Sequence, residues 1–273
     1  MSSLPAPRPV AHPASDLTRF LAPRGVAVVG VSQETGRIGG QALKLLTDFG
    51  YTGKIYPVNP KYSEVRGITC YPDLASVPKP CDVALIALSA QHVISQIEQC
   101  GKAGIPYALV LAGGFSEVGD KGAALQSQLA SAAREAGVRV VGPNCLGLMN
   151  LKDGARIGFG GTMQLTTLKP GPLAMVTQSG GFGFGVVAMA CHFGLGFNYV
   201  VSTGNEADLT SVPQPCDVAL IALSAQHVIP AIEQCGKAGI PYALVLAGGF
   251  SEVGDKGAAL QSQLAAAARE AGV

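Results

Sequence analysis

Residues 26–40, which read VAVVGVSQETGRIGG, decide the fold of this chain. The run begins with apolar, mostly β-branched residues at 26–29, which predict a strand buried on both faces. A glycine-rich turn follows, and the apolar periodicity of 41–46 then predicts a helix. Free backbone N–H groups at the start of such a helix attract anions, and glycine allows close approach to the backbone. The stretch therefore predicts a binding site for a phosphorylated ligand.

Strands and helices alternate along the rest of the first half of the chain. Further buried strands are predicted at 54–59, 82–88, 107–112 and 138–141, with helices at 91–103 and 120–136. This alternation predicts an α/β fold with a Rossmann-like, doubly wound parallel sheet. Ligands of such sheets bind outside the carboxyl ends of the strands.

A second α/β unit, which we expect to be flavodoxin-like, begins after an aperiodic stretch. Its predicted elements are a strand at 173–177, a turn at 178–181, a helix at 184–193 and a strand at 198–202. The predicted organisation is a disordered tail at 1–15, a first domain at 16–148, a linker at 149–170 and a second domain at 171–273. The proline-containing tail lacks the apolar core of a signal peptide.

The end of the chain repeats an earlier part. Residues 208–273 match 73–138 at a constant offset, and the copies differ at five pairs of positions: Ala75/Thr210, Lys79/Gln214, Ser95/Pro230, Gln96/Ala231 and Ser131/Ala266. Ancient repeats diverge much further, so a recent duplication, an artificial origin and a sequence-assembly error are the open explanations. Because either copy could supply the third and fourth strands of the first domain, the repeat predicts a risk of domain swapping.

The copy also raises a question of topology. Residues 204–217 are too few for a crossover helix, which parallel neighbours normally need. We therefore expect 211–273 either to extend the second sheet in a non-native way or to pair with another chain.

Composition narrows the class of protein. Hydrophobic residues make up 48% of the chain and charged residues 14%, which suits buried parallel strands. A net charge of +1 and the absence of tryptophan give no basis for binding nucleic acid or an anionic membrane. The seven cysteines lack C-x-x-C spacing, so we expect buried, reduced thiols in a cytoplasmic protein rather than disulfides or a metal site. No run of 18 apolar residues predicts a membrane span.

The phosphate turn itself limits the ligand. The segment 30–36 is longer than the G-x-G-x-x-G dinucleotide fingerprint allows. The second strand ends in Asn59-Pro60-Lys61, where a NAD enzyme would place an acidic residue for the ribose. Lys61, with Arg37 and Arg66 nearby in sequence, suits a ligand with an additional phosphate. These residues argue against NAD and leave NADP and coenzyme A open.

Six short motifs occur in order between residues 16 and 210. They are Val29-Gly30-Val31-Ser32 with Gly36-x-x-Gly39, Pro57-Val58-Asn59-Pro60-Lys61, Gly113-Gly114-Phe115-Ser116-Glu117, Gly142-Pro143-Asn144-Cys145-Leu146-Gly147, Gln178-Ser179-Gly180 and Gly204-Asn205-Glu206-Ala207-Asp208. In this part the chain resembles the NDP-forming acyl-CoA synthetases, relatives of the succinyl-CoA synthetase α subunit.

The resemblance implies that the first domain binds coenzyme A (CoA). The implied contacts are the phosphate turn with Gly30, Ser32, Thr35, Arg37, Ile38 and Gly39, the strand end with Asn59, Pro60 and Lys61, and the pantetheine path with Leu88, Ser89, Gly113, Gly114 and Phe115. Asn144 would lie near the thiol end. In the second domain, Ser179 and Gly180 match the turn that receives a phosphoryl group from a phosphohistidine.

The chain also departs from the family pattern. Those enzymes transfer phosphate through a histidine in a later Ser-His-Thr-Gly or Gly-His-Ala-Gly segment, and an ATP-grasp region binds their nucleotide. Neither segment is in this sequence, and the copy stands where the second domain should continue. His92 and His227 at helix starts and His192 on a packed helix are expected to be structural, as is a buried Cys145. The catalytic residues are left unassigned.

The resemblance implies the reaction of an acid–thiol ligase, in which an acid, CoA and NTP give acyl-CoA, NDP and phosphate. We expect this chain to bind CoA but not to complete turnover alone. Expected partners are CoA, a carboxylic acid or acyl-CoA, an ATP-grasp subunit and further copies of the chain, as a homo-oligomer or by domain swapping. The alternatives are a non-catalytic CoA-sensing protein and an NADP-dependent reductase.

Overall fold

The computed structural model describes residues 17–205, 218–223, 225–237 and 239–273, so the predicted tail at 1–15 lies outside the described residues. The elements of the first unit, in chain order, are α1 Thr18–Leu21, β1 Gly25–Val29, α2 Ile38–Asp48, β2 Lys54–Val58, β3 Glu64–Val65, β4 Ile68–Thr69, β5 Val83–Ile86, α3 Ala90–Ala103, β6 Tyr107–Val110, α4 Asp120–Ala136 and β7 Arg139–Val141. Each predicted strand and helix of this unit is present, with shifts of one to a few residues at the ends.

The first sheet is parallel throughout, with the strand order β2-β1-β5-β6-β7. Successive residues of β1 point to opposite faces. Val26 and Val28 join a core with α1 and α2, whereas Ala27 and Val29 join a core with α3 and α4. Because both faces are covered, the strand reads as a continuous apolar run, which is why the sequence identified it.

The boundary of α2 differs from the prediction. The helix begins at Ile38 and therefore includes Gly39 and Gly40, whereas the sequence had assigned Gly39 to the turn. A Cβ at Gly39 would lie 2.2 Å from the Gly30 carbonyl oxygen. The first turn of the helix thus packs directly on the backbone of the glycine-rich turn before it. Helix propensities do not include this tertiary contact, so they do not predict where the helix begins.

The second unit carries its own sheet. Its elements are β8 Gly147–Asn150, β9 Ala155–Gly158, β10 Leu173–Thr177, α5 Gly180–His192, β11 Phe197–Ser202, β12 Val218–Ala222, α6 Ala225–Lys237, β13 Tyr242–Val245 and α7 Asp255–Ala271. The strand order is β13-β12-β10-β11-β8-β9, in which β8 and β9 pair as an antiparallel hairpin and β8 runs antiparallel to β11.

The expectation of an aperiodic linker at 149–170 is wrong for much of that stretch. It contains the end of β8, all of β9 and a short 3-10 turn at Thr162–Gln164, and the hairpin forms one edge of the second sheet. Strands of four residues are too short to show a clear alternation of apolar and polar side chains. The domain boundaries drawn from the sequence remain a prediction.

The start of α5 was also placed too late, at 184 instead of Gly180. The glycines at 180, 181 and 183 disfavour a helix by propensity. Ser179 compensates as the N-cap, because its hydroxyl accepts a hydrogen bond from the Phe182 N–H at 3.5 Å.

The copied segment extends the second sheet. β12 lies beside β10 as β5 lies beside β1, and β13 pairs with β12 in the same register in which β6 pairs with β5. The strands on either side of the short stretch are not immediate neighbours, because β10 lies between β11 and β12 and runs parallel to both. The connection at 206–217 lies outside the described residues, and domain swapping stays a prediction.

Candidate functional site

The predicted CoA contacts follow the strands β1, β2, β5 and β6. Because these strands are parallel, their carboxyl ends meet at one edge of the first sheet. The order β2-β1-β5 places the point where the winding reverses between β1 and β5, which is where open α/β sheets bind their ligands. Gly30 after β1 and Leu88 after β5 touch across this point.

Gly30 is required at that contact. Its φ is +81°, and a Cβ there would lie 2.6 Å from Leu88 Cδ2 and 2.7 Å from the Ala87 carbonyl oxygen. Leu88 is half-buried against this glycine. The backbone at the end of β1 therefore runs closer to β5 than any side chain allows.

The turn then leads into a helix start suited to an anion. Arg37 is the extended N-cap of α2 without a side-chain cap, and no acidic residue occupies the first turn. The first N–H groups of a helix have no intrahelical partner, and the helix dipole favours negative charge there. Thr35, Arg37 and Ile38 are exposed on this turn, while Ser32 is buried and its hydroxyl accepts from the Glu34 N–H at 3.1 Å.

Asn59 fixes the strand end beside the turn. Its Nδ2 donates to the Val31 carbonyl oxygen at 2.8 Å, and its Oδ1 accepts from the Lys61 N–H at 3.0 Å. The backbone of Lys61 is therefore held next to the phosphate turn, while its side chain, like Pro60, is exposed. This arrangement offers a cation to a ligand bound at the turn.

The two arginines are already engaged. Arg37 Nε donates to Glu34 at 3.0 Å, and Arg66 Nη2 donates to Asp48 at 2.8 Å. Asp48 is the last residue of α2, about 15 Å of helix away from its start. The structure therefore does not bring Arg66 to the phosphate turn, and its suggested role beside Lys61 is not supported.

The predicted pantetheine path lies over backbone at the strand ends. Ser89 is the exposed N-cap of α3, and Gly114, with φ +100°, leaves 3.3 Å between a hypothetical Cβ and Ala90 Cβ. Gly113 is exposed beside it, whereas the Phe115 side chain is fully buried in the core beneath α3 and α4. The strand ends thus form a narrow surface of backbone over a packed aromatic ring.

Asn144 lies where β6 and β7 end. It adopts a left-handed φ of +57°, and its N–H donates to the Ala112 carbonyl oxygen at 2.8 Å. Its side chain is exposed, with Oδ1 placed 3.4 Å from a hypothetical Cβ at Gly113. The side chain therefore stands at the end of the surface formed by residues 113–115.

Ser179 and Gly180 approach the same region from the second unit. A Cβ at Gly180 would lie 2.5 Å from Leu146 Cγ and 2.8 Å from Ser202 Oγ, and that hydroxyl accepts from the Leu146 N–H at 3.2 Å. The start of α5 thus packs on the segment that carries Asn144, and the first turn of α5 has no acidic residue. The fold brings together two segments that lie more than 30 residues apart in sequence.

The nucleophiles and histidines are placed as follows. Burial raises the pKa of Cys145 to about 12, so its thiol stays protonated at neutral pH. His92 and His227 lie in the first turns of α3 and α6, as predicted. His192 lies at the end of α5, a helix that is packed through Phe184, Val187 and Cys191 as expected, and its own side chain is exposed next to Phe193.

Cysteines and metal ligands add no further site in the described parts of the chain. Six cysteines there are buried, and Cys216 lies outside the described residues. No group of three or more His, Cys, Asp or Glu side chains is arranged to hold a metal ion within those parts. Within them, no helix has the length and apolarity needed to cross a membrane.

Three residues at the junction received no role from the sequence. Glu117 and Asn205 were noted only as members of two motifs, and Gln126 carried no assignment. In the structure their side chains form one hydrogen-bonded cluster between the two units. Only the presence of Glu117 and Asn205 in two of the ordered motifs pointed to them.

A parallel sheet with a glycine-rich turn and an uncapped helix at its switch point defines a nucleotide-binding α/β protein of the Rossmann type. Residues 24–150 match the family described as CoA binding domain, and residues 170–213 match the succinyl-CoA ligase like flavodoxin domain. With the relatives below, these matches show that the chain belongs to the NDP-forming acyl-CoA synthetase family, and its first unit is a CoA-binding domain.

Two curated relatives illustrate the similarity. The chain is 38% identical over 193 residues to acetate–CoA ligase [ADP-forming] I of Archaeoglobus fulgidus, covering 71% of this chain and 27% of the relative. It is 37% identical over 191 residues to the subunit alpha of acetate–CoA ligase [ADP-forming] I of Pyrococcus furiosus, covering 68% and 40%. The chain thus spans well under half the length of these relatives.

A solved structure extends the likeness to the copied segment. The apo form of the dinucleotide forming acetyl-coenzyme A synthetase 1 of Ca. Korarchaeum cryptofilum superposes with a TM-score of 0.81 and 31% identity, covering 94% of this chain and 59% of that one. Coverage this high includes part of the copy.

Proposed function

We propose that this chain supplies the CoA-binding part of an acid–thiol ligase that forms acyl-CoA with cleavage of a nucleoside triphosphate. The observation that carries the proposal is the cradle at the switch point, in which Gly30 and an uncapped α2 lie beside the exposed Lys61. Such a site accepts a nucleotide with phosphates on both sides of its ribose, as in CoA.

Each part of the cofactor has a proposed contact. The diphosphate lies on the turn of Gly30, Ser32, Thr35, Arg37, Ile38 and Gly39. Lys61, which follows Pro60 and whose N–H is held by Asn59, meets the 3′-phosphate. The pantetheine passes Leu88, Ser89, Gly113, Gly114 and Phe115, and the thiol ends near Asn144. The exposed positions of Lys61 and Asn144 support the two ends of this path.

The second unit is proposed to bind the phosphoryl group. Ser179 and Gly180 begin a helix with no acidic residue in its first turn, next to the segment of Asn144. A phosphoryl group at this helix start would meet an acyl group and the CoA thiol at one place, as the joining of an acid to CoA requires. No described histidine lies at this helix start, so turnover needs a histidine and a nucleotide site from elsewhere.

A further polypeptide is part of the proposal. The Pyrococcus relative is described as a subunit alpha, which by its name has partners. Phe182 and Met189 on α5 and Phe193, which directly follows it, are exposed at helical spacing. An apolar stripe of this kind favours contact with another chain, for which we propose an ATP-grasp subunit. The buried free thiols of Cys70, Cys81, Cys100, Cys145 and Cys191 support a cytoplasmic location.

Calorimetric titration with CoA, dephospho-CoA and NADP tests the proposal. We expect CoA to bind most tightly, dephospho-CoA more weakly and NADP weakest. Tighter binding of NADP would favour a reductase, and absence of CoA binding by folded protein would refute the assignment. CoA binding without restored synthesis of acyl-CoA on addition of an ATP-grasp chain would leave a CoA-sensing protein as the better reading.

A further inference from the structure

A polar cluster joins the two units beside the proposed pantetheine path. Asn205, just after β11, donates through Nδ2 to Glu117 Oε2 at 2.5 Å and to Gln126 Oε1 at 3.1 Å. Its carbonyl oxygen accepts from Gln126 Nε2 at 3.1 Å, and its N–H donates to the Pro143 carbonyl oxygen at 2.8 Å. Asn144 Nδ2 adds a longer contact of 3.5 Å to Asn205 Oδ1. The end of β11 is thus held from several sides by the first unit.

The Glu117 carboxylate accepts hydrogen bonds from both units. Its Oε1 accepts from the N–H groups of Gly114 and Phe115, the two residues proposed to line the pantetheine. Its Oε2 accepts from Asn205. Partial burial acts to raise the pKa of Glu117, but the hydrogen bonds from Asn205, Gly114 and Phe115 outweigh it and lower the pKa below its usual value. The residue therefore stays ionised as an acceptor at neutral pH.

The copy shows what the turn requires by itself. Glu252 accepts from the N–H groups of Gly249 and Phe250, and Gln261 accepts from the Ser251 N–H at 3.2 Å, as Gln126 does from Ser116. The backbone angles agree as well, with φ and ψ of −109° and −141° at Phe115 and of −104° and −140° at Phe250. In the described residues, no asparagine contacts Glu252 or Gln261. The turn therefore forms without an asparagine, and the bond to Asn205 has another role.

The bond to Asn205 leads on to the turn at 178–181 in the second unit. Gly204 donates through its N–H to the Gln178 carbonyl oxygen at 3.3 Å, and Gln178 Nε2 donates to the Gly204 carbonyl oxygen at 3.0 Å. Gln178 directly precedes Ser179. Gly204 has no room for a side chain, because a Cβ would lie 2.2 Å from the Pro143 carbonyl oxygen. A continuous series of contacts thus runs from 114–115 through Glu117 and 204–205 to 178–179.

We propose that Glu117 is a positioning residue that couples the pantetheine turn at 113–115 to the turn at 178–181 through Asn205. CoA lying on residues 113–115 steadies the Glu117 carboxylate, which steadies 204–205 and through Gln178 the start of α5. This inference rests on the proposed function, since it needs CoA at the first turn. It adds a residue pair, Glu117 and Asn205, that transmits the effect of bound CoA from residues 113–115 to the start of α5.

Amide hydrogen exchange with CoA as the only added ligand tests this coupling. In the wild-type chain, CoA is expected to slow exchange at 113–115 and also at 201–205, the latter by about fivefold, at the lower end of usual coupling between sites. Asn205→Ala removes the partner but leaves the turn bonds of Glu117, so slowing at 113–115 persists and slowing at 201–205 is lost. Glu117→Gln gives the same loss.

Glu252→Gln is the matched control, because it changes the same turn in the copy, which lacks the asparagine. It should retain slowing at both segments. Slowing at 201–205 that survives in Asn205→Ala, or that is absent from wild type while 113–115 is protected, overturns the coupling alone. No calorimetric binding of CoA and no slowing at either segment, with native far-UV circular dichroism, removes the proposed function and the coupling with it.

Discussion

Leu109 and Leu244 hold the same position in two copies of one sequence, yet Leu109 is 0% exposed and Leu244 is 56% exposed. Leu109 lies on β6, between β5 and β7, in a core that includes α1, α2 and part of the second unit. Leu244 lies on β13, the edge strand of the second sheet. The neighbouring tyrosines repeat the difference, with Tyr107 at 6% and Tyr242 at 66%.

This pair gives a direct test of the fold. Leu109→Ala should lower the free energy of unfolding by about 2–5 kcal/mol, because it leaves a cavity in a packed core. Leu244→Ala should cost about 1 kcal/mol or less, as for surface positions. Urea titration followed by circular dichroism measures both. Reversed losses would mean that the copies are exchanged, and equal losses would mean that another chain covers β13.

The glycine at the switch point should tolerate no side chain. Gly30→Ala forces a left-handed φ on alanine, which costs about 1–2 kcal/mol, and it pushes a methyl group into Leu88. We expect lower stability and weaker CoA binding. The matched control is Gly185→Ala in α5, where a Cβ meets open space and helix propensity should raise stability by about 1 kcal/mol. Thermal unfolding and calorimetry distinguish the two, and undiminished CoA binding by Gly30→Ala would argue against this turn as the site.

Lys61 should contact the 3′-phosphate of CoA. A hydrogen bond to a charged group contributes about 1.5–3 kcal/mol, so Lys61→Ala should weaken CoA binding by roughly tenfold or more. The same substitution should weaken the binding of dephospho-CoA much less. Lys54→Ala, at the opposite end of β2, serves as the control and should leave both ligands unaffected. Equal weakening of CoA and dephospho-CoA would place Lys61 elsewhere on the ligand.

Asp82 should make the chain sensitive to acid. The Arg24 guanidinium donates to it at 2.7 and 2.9 Å, and these hydrogen bonds lower the pKa of the 3%-exposed carboxylate. Because the folded pKa is depressed, this stabilisation is complete above the unfolded pKa of about 3.9 and is lost as pH falls through the folded pKa.

The measurement for Asp82 is the urea midpoint between pH 7 and pH 3. Asp82→Asn should lower stability at pH 7 by roughly 1.5–3 kcal/mol and flatten its decline below about pH 4. Glu98→Gln, at an exposed position of α3, should follow the wild-type curve. A wild-type slope retained by Asp82→Asn would exclude this carboxylate as the source.

Local patterns predicted the site where its parts are contiguous. The strand, turn and helix at 26–48 could be found because each leaves a signal within a few residues, namely an apolar run, glycines and helical periodicity. Arg66 was placed wrongly beside Lys61, since nearness in sequence does not show that Arg66 points to the far end of α2. The hairpin of β8 and β9 was missed because its strands are too short to display a period.

The sequence by itself determined the α/β class, the phosphate turn and, through six ordered motifs, the family. Tertiary structure alone decided which copy is covered, because identical residues are buried or exposed according to the elements packed on them. It also decided that Glu117 meets Asn205, 88 positions away. A carboxylate and an amide this far apart carry no shared pattern in the chain, and only the packing of two sheets brings them within hydrogen-bonding distance.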